Sequence, residues 1–227
     1  MVGGLPRSSS EALRLVDVWK VYGRGVVALR GVSLALRSGE LLVVYGRSGS
    51  GKSTLLRVAC GIDPPTRGEV YLLGRRVGSL RQRELERVRL TQVGLVLQQW
   101  NLIPWLTALE NIQLALYRAG VGDHRRRAME ALEAVGLGKL ADRLPEEMSM
   151  GQRQVAALAR ALALRPKLLA LDEPTANLDS TSAGAVYRIV REAADGGVAV
   201  LMVCNDPAGI KLADRRVELL DGALVGG

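Results

Sequence analysis

The sequence predicts an α/β fold: a parallel-sheet core that carries an antiparallel β layer on its N-terminal side and a block of helices inserted near its middle. Three observations predict it. Apolar, leucine-rich or β-branched runs at 168–171 and 198–203 flank a helical stretch at 180–194, the spacing of a parallel crossover. Residues 13–36 alternate loosely between apolar and polar around Gly23-Arg24-Gly25, as an antiparallel pair does. Residues 107–118, 124–135 and 151–164 place apolar side chains three and four apart between Gly and Pro breaks, the helical period.

The remaining elements follow in chain order. Ser38-Gly39-Glu40 is a turn into the short apolar run 41–45, read as one buried strand. Residues 52–60 have helical spacing, and 68–77 read as a hairpin. Residues 1–10, MVGGLPRSSS, lack the apolar segment of a secretory signal and read as a short mobile tail before a single domain over 11–227, with its helical subdomain at about 98–164.

Composition narrows the classes. A chain of 227 residues with 48% hydrophobic content can bury a sizeable core, which excludes a disordered or fibrous protein. Its longest apolar runs fall far short of the roughly 18 residues of a membrane-spanning helix. Cys60 and Cys204 stand singly in apolar segments, so neither a disulfide framework nor a zinc site is indicated, and a reducing cytoplasm fits. The formal charge of +8 is compatible with nucleic acid, anionic lipid or a phosphate-bearing small molecule and does not choose among them.

Chemistry concentrates at two places. Gly46-Arg47-Ser48-Gly49-Ser50-Gly51-Lys52-Ser53 fits the phosphate-loop pattern and lies where that pattern works, between a buried strand and a helix. Glycines turn backbone N–H groups onto phosphates, Lys52 offers charge to the β- and γ-phosphates, Ser53 suits Mg²⁺, and Thr54 adds a further phosphate contact. The run Leu168-Leu169-Ala170-Leu171-Asp172-Glu173 ends a buried strand in two acids, at the carboxyl edge where parallel sheets carry their sites. Asp172 suits Mg²⁺, and Glu173 suits orienting or deprotonating a water.

Met148-Ser149-Met150-Gly151-Gln152 before a helical run containing Ala159-Arg160-Ala161-Leu162 resembles the LSGGQ signature of the ATP-binding cassette (ABC) ATPases. Asp172-Glu173-Pro174-Thr175 with Asn177-Leu178-Asp179 resembles their Walker B and D-loop. The regions 61–70, 94–98 and 101–111 are similar to the lipoprotein-release and macrolide-efflux branch, so the resemblance covers nearly the whole chain. It implies a core resembling RecA, with ATP and Mg²⁺ as ligands. It also implies a head-to-tail homodimer or heterodimer in which Ser149, Gly151 and Gln152 meet the partner's phosphate, and membrane-spanning permease subunits on the inner face of the cell membrane. Tyr22 is implied as the adenine-stacking aromatic, Gln98 as the Mg²⁺ and water contact, and Asp179 as a dimer-interface residue.

Two plainer readings stand beside these. Ser149 and Gln152 also make an S-x-x-Q capping box, and Asp179 is equally a helix N-cap before residue 180.

The chain departs from the family twice. Asn205, in Val203-Cys204-Asn205-Asp206, stands where the family has a switch histidine, and Met150 replaces the first glycine of the signature. Asn donates a hydrogen bond but neither carries charge nor moves a proton, so slowed hydrolysis is expected. The lone histidine, His124, begins the polar run with Arg125-Arg126-Arg127 and reads as solvated surface. Two competing functions remain: a soluble ABC ATPase acting on nucleic acid or the ribosome, disfavoured by the single cassette without a coiled-coil insertion, and a nucleotide-gated subunit with negligible turnover.

Overall fold

A computed structural model describes residues 11–98 and 102–225. The tail expected at 1–10 lies outside the described residues, as do residues 99–101.

Strands β1 (Glu11–Tyr22) and β2 (Val26–Arg37) form a long antiparallel pair joined by a 3-10 turn at Gly23–Gly25. The alternation is loose in the sequence because the register shifts between Leu15 and Val18 and again between Lys20 and Val21, with Asp17 at φ 45°. Each extra residue flips the in–out pattern. Strands β3 (Leu41–Tyr45), β4 (Arg67–Leu72) and β5 (Arg75–Arg76) follow, with α1 (Lys52–Ala59) between β3 and β4. The antiparallel sheet has the order β2-β1-β4-β5.

Helix α2 (Gln82–Gln92) leads into β6 (Val93–Val96), and α3 (Ala108–Arg118), α4 (His124–Ala134) and α5 (Met150–Ala163) come next. Strand β7 (Leu168–Asp172), α6 (Ser180–Asp195), β8 (Ala199–Val203), α7 (Pro207–Leu212) and the hairpin of β9 (Arg215–Leu220) with β10 (Ala223–Val225) complete the chain. The second sheet runs β10-β9-β3-β8-β7-β6, parallel throughout except for the edge strand β10. Among the described residues no helix is long and apolar enough to cross a membrane.

The parallel sheet separates two cores. Along β3, Leu42 and Val44 face one core with Leu55, Leu56 and Val58 of α1 and the inner face of the antiparallel sheet. Leu41 and Val43 face the other, with Ile112 and Leu116 of α3, Leu132 of α4, Leu158 of α5 and Val190 of α6. Because side chains of a strand alternate in direction, a continuous apolar run is what a strand covered on both faces requires. This arrangement puts α1 and α5 on opposite faces of the sheet.

Candidate functional site

The site is assembled at the carboxyl edge of the parallel sheet. After β3 the chain turns through Gly46 (φ 152°), Gly49 (φ 82°) and Gly51 (φ 104°) into α1. A Cβ on Gly46 would lie 2.2 Å from the Leu219 carbonyl, and one on Gly51 2.3 Å from that of Ala28. These two positions are closed to any other residue by backbone geometry and by space alike. Helix α1 begins with no side-chain cap and no acid in its first turn, so its amino end is free for an anion. Ser50 Oγ is buried in the loop with no hydrogen-bond partner. An uncapped helix end, an orphaned hydroxyl and a glycine cradle together fit a phosphate group.

Lys52 is 7% exposed and donates to the carbonyls of Gly46 at 2.7 Å and Arg47 at 3.2 Å, with Glu173 Oε1 at 3.8 Å. Ser53 Oγ donates to Asp172 Oδ1 at 3.0 Å. That pairing of hard oxygens at the end of α1 and β7 suits Mg²⁺, which takes a few protein oxygens and keeps water and phosphate for the rest. Among the described residues, no group of three or more His, Cys, Asp or Glu is placed to hold a metal by itself. Burial raises the carboxyl groups of Asp172 and Glu173 above the ordinary range; Ser53 opposes this at Asp172 and Lys52 opposes it at Glu173.

Glu173 has φ 47°, unusual for a residue with a Cβ. Its N–H donates to Val203 O at 2.8 Å, and its carboxylate is clasped by Asn205, whose N–H reaches Oε2 at 3.3 Å and whose Nδ2 reaches Oε1 at 3.2 Å. Asn205 Oδ1 in turn accepts from Gly46 N–H at 3.2 Å. Asn205 therefore ties the phosphate loop to the acid at the end of β7.

The other expected residues are placed as follows. Gln98 is exposed two residues beyond β6, which pairs with β7 and ends at the same edge. Arg47, Ser48 and Gly49 lie exposed on the loop, and Thr54 is buried in α1. Tyr22, at the end of β1, donates its hydroxyl to Asp63 Oδ2 at 2.7 Å and carries the Lys20 ammonium 4.9 Å from its ring centre. Ser149 caps α5, with Oγ accepting from Gln152 N–H at 3.2 Å and Gln152 Oε1 from Ser149 N–H at 2.9 Å, the reciprocal box. Gly151 abuts α6: a Cβ there would lie 2.4 Å from Ser182 Oγ. Met150, one residue earlier, is 42% exposed. Asp179 caps α6 by accepting from Thr181 N–H, Ser182 N–H and Ser182 Oγ at 3.0, 2.9 and 2.8 Å, and these bonds hold its carboxyl below the usual range. The structure thus joins Gly46, Lys52, Ser53, Asp172, Glu173 and Asn205, while the side chains of Tyr22 and Ser149 bond to Asp63 and to Gln152 N–H. Sequence reasoning passed over Tyr187 and Ser182. The one legible sign was a tyrosine in the otherwise aliphatic buried stripe of Val186, Ile189 and Val190.

A family model described as ABC transporter matches residues 29–176, more than half of the chain. The chain belongs to the ABC transporter ATPase family. Its relatives include the lipoprotein-releasing system ATP-binding protein LolD of Aquifex aeolicus, 40% identical over 96% of this chain and 97% of that protein. The macrolide export ATP-binding/permease protein MacB of Chlorobium luteolum is 40% identical over 96% of this chain and 33% of its own longer one. Among solved structures, the dimeric post-hydrolysis state of the Methanocaldococcus jannaschii cassette MJ0796, bound to ADP and Pi, superposes with a TM-score of 0.88. Identity there is 36%, over 94% of this chain and 97% of that one. As an ABC ATPase of the LolD and MacB branch, this chain is an ATP-hydrolysing transporter subunit, and its RecA-like core, antiparallel sheet and helical insertion are those of the cassette.

Proposed function

We propose that this ABC ATPase binds Mg-ATP between two head-to-tail cassettes, like or unlike, and drives export through separate membrane-spanning permease subunits at the inner face of the membrane. The separation of the phosphate loop from the capped end of α5 carries this reading. Helices α1 and α5 pack on opposite faces of the parallel sheet, which supports a phosphate on α1 meeting the Ser149 cap of a second chain. Exposed Trp105 and Tyr117 on the helical layer supply apolar surface for a membrane subunit, and neither has a place in the nucleotide site.

Each side chain then has one task. The glycine cradle and the amino end of α1 bind the phosphates, and Lys52 turns from the loop carbonyls to the β- and γ-phosphate oxygens. Ser53, Asp172 and Gln98 would hold Mg²⁺, which when bound supplies neutralisation of the phosphate charge. Glu173 takes the proton of the attacking water, its basicity raised by burial. Tyr22 stacks on adenine, with the Asp63 bond fixing its ring. Asn205 in place of histidine, and Met150 at the signature, slow turnover without abolishing it, since Lys52, Asp172 and Glu173 are all present.

The test is twofold. Glu173→Gln incubated with Mg-ATP should sediment as a dimer, and monomer alone overturns the self-sufficient homodimer. Pull-down from detergent-solubilised membranes should bring a polytopic membrane protein; ribosomes or nucleic acid in its place overturn the transport reading.

A further inference from the structure

Asn205 is held to its post by the residue that follows it. Asp206 Oδ2 accepts the Tyr187 hydroxyl at 2.6 Å, and Thr175 Oγ1 lies 2.8 Å from the same hydroxyl oxygen. A phenol has one proton, and here it goes to the carboxylate, so Thr175 is the donor to Tyr187. The result is a directed chain from Thr175 through Tyr187 to Asp206, across a ring 7% exposed. Asp206 Oδ1 is also occupied, accepting from Ala208 N–H at 3.0 Å. Space around the hydroxyl is closed, since a Cβ on Gly209 would come within 2.8 Å of it.

The segments that leave β7 and β8 are thus fastened twice. Asn205 grips Glu173, and two residues beyond Glu173 the side chain of Thr175 reaches Asp206 through Tyr187. The first bond set is exposed, made at 3.2 and 3.3 Å; the second is more buried and shorter, at 2.6 and 2.8 Å. An amide that must aim both a backbone N–H and a side-chain N–H at one carboxylate needs its backbone fixed, and the inner bonds fix it.

We propose that Tyr187 is a positioning residue for hydrolysis: through Asp206 it sets the backbone of Asn205, which holds the Glu173 carboxylate in line for the attacking water. In this chain Asn205 therefore serves the carboxylate and the Gly46 N–H, the two groups that its amide already engages. The proposal rests on Glu173 being the base, as read above.

The experiment is a double-mutant cycle on single-turnover ATP hydrolysis by the full chain in excess over nucleotide, a format that reads slow rates. Tyr187→Phe removes one hydroxyl and keeps the ring. It should slow hydrolysis about tenfold, because small misplacements of a reacting group are costly, and leave the half-saturating enzyme concentration unchanged. In an Asn205→Ala background the same substitution should change the rate less than about twofold, since the group it acts through is gone. Asp206→Ala cuts the same bond from outside α6 and also uncaps the Ala208 N–H, so it should slow hydrolysis at least as much as Tyr187→Phe. Equal slowing in both backgrounds, an unchanged rate in Tyr187→Phe, or full activity in Asn205→Ala overturns the proposal. Glu173→Gln measured alongside separates the two readings. If it hydrolyses ATP at the wild-type rate, the base assignment has failed; if it is inactive while the cycle is additive, only the role of Tyr187 has.

Discussion

Gly151→Ala tests whether the signature glycine is demanded by its own chain as well as by a phosphate. The new Cβ would stand 2.6 Å from Ser182 Cβ, about 0.8 Å inside the 3.4 Å at which ordinary contact begins. Ser182 cannot swing aside freely, because its Oγ is bonded to Asp179 at 2.8 Å. The amino ends of α5 and α6 must therefore separate, at an overpacking cost of about 1–3 kcal/mol. Replacing glycine in a helix returns up to about 1 kcal/mol, which leaves a net loss near 1 kcal/mol and a Tm lowered by roughly 2–4 °C for a chain of this size. Ser182→Gly removes the obstructing atoms, so in the double variant the clash vanishes and the coupling between the sites should be about 1–3 kcal/mol. Thermal unfolding of the four proteins measures it. Additivity within about 0.5 kcal/mol would refute the contact and return Gly151 to a purely phosphate-facing role.

Three further outcomes are expected. Lys52→Ala loses charge-assisted bonds to phosphate and should weaken ATP binding about 10- to 100-fold by calorimetry; equal affinity sinks the phosphate-loop assignment. Tyr22→Ala should weaken binding about tenfold or more by loss of stacking, whereas Tyr22→Phe, which keeps the ring, should stay within about threefold; identical losses would mean that the Asp63 bond matters rather than the base. Burial pushes the Cys60 thiol up from 9.0 to about 12, so its contribution is fully present below pH 9.0 and is lost as pH rises toward 12. Urea midpoints should fall between pH 9.0 and about 10.5, and less steeply in Cys60→Ala; parallel declines contradict the assignment.

Local signals were legible from residues alone. The phosphate-loop pattern stands out because its glycines, Lys52 and Ser53 recur at set spacings, and Asp172 because it ends an uninterrupted apolar strand. The capping box at Ser149 was readable for the same reason: both partners lie within one turn. Asp179 had two readings, and the N-cap is the one its hydrogen bonds display; the interface role remains a proposal. Helix α2 escaped notice because only Leu85 and Val88 are buried in it, too few to set a period against its arginines and glutamates. Helix α7 is six residues long and β9 opens on Arg215 and Arg216, which obscures its alternation. The bonds of Tyr187 to Thr175 and Asp206, and the meeting of Gly151 with Ser182, join residues far apart in the chain. No local pattern encodes such pairs; the packing of α6 against α5 and α7 creates them.

The phosphate loop rests on the end of the chain. Leu219 of β9 stands directly against Gly46, and Gly222 in the turn to β10 donates its N–H to the Ser50 carbonyl at 3.0 Å. Strand β3, from which the loop springs, lies between β8 and β9, so both of its neighbours are translated more than a hundred residues after it. During synthesis the motif emerges early beside Ala28 of β2, but Leu219 and Gly222 reach it only when the last hairpin has left the ribosome. A nascent or prematurely terminated cassette lacking β9 and β10 therefore carries every residue of the loop without two of the backbone neighbours that shape it.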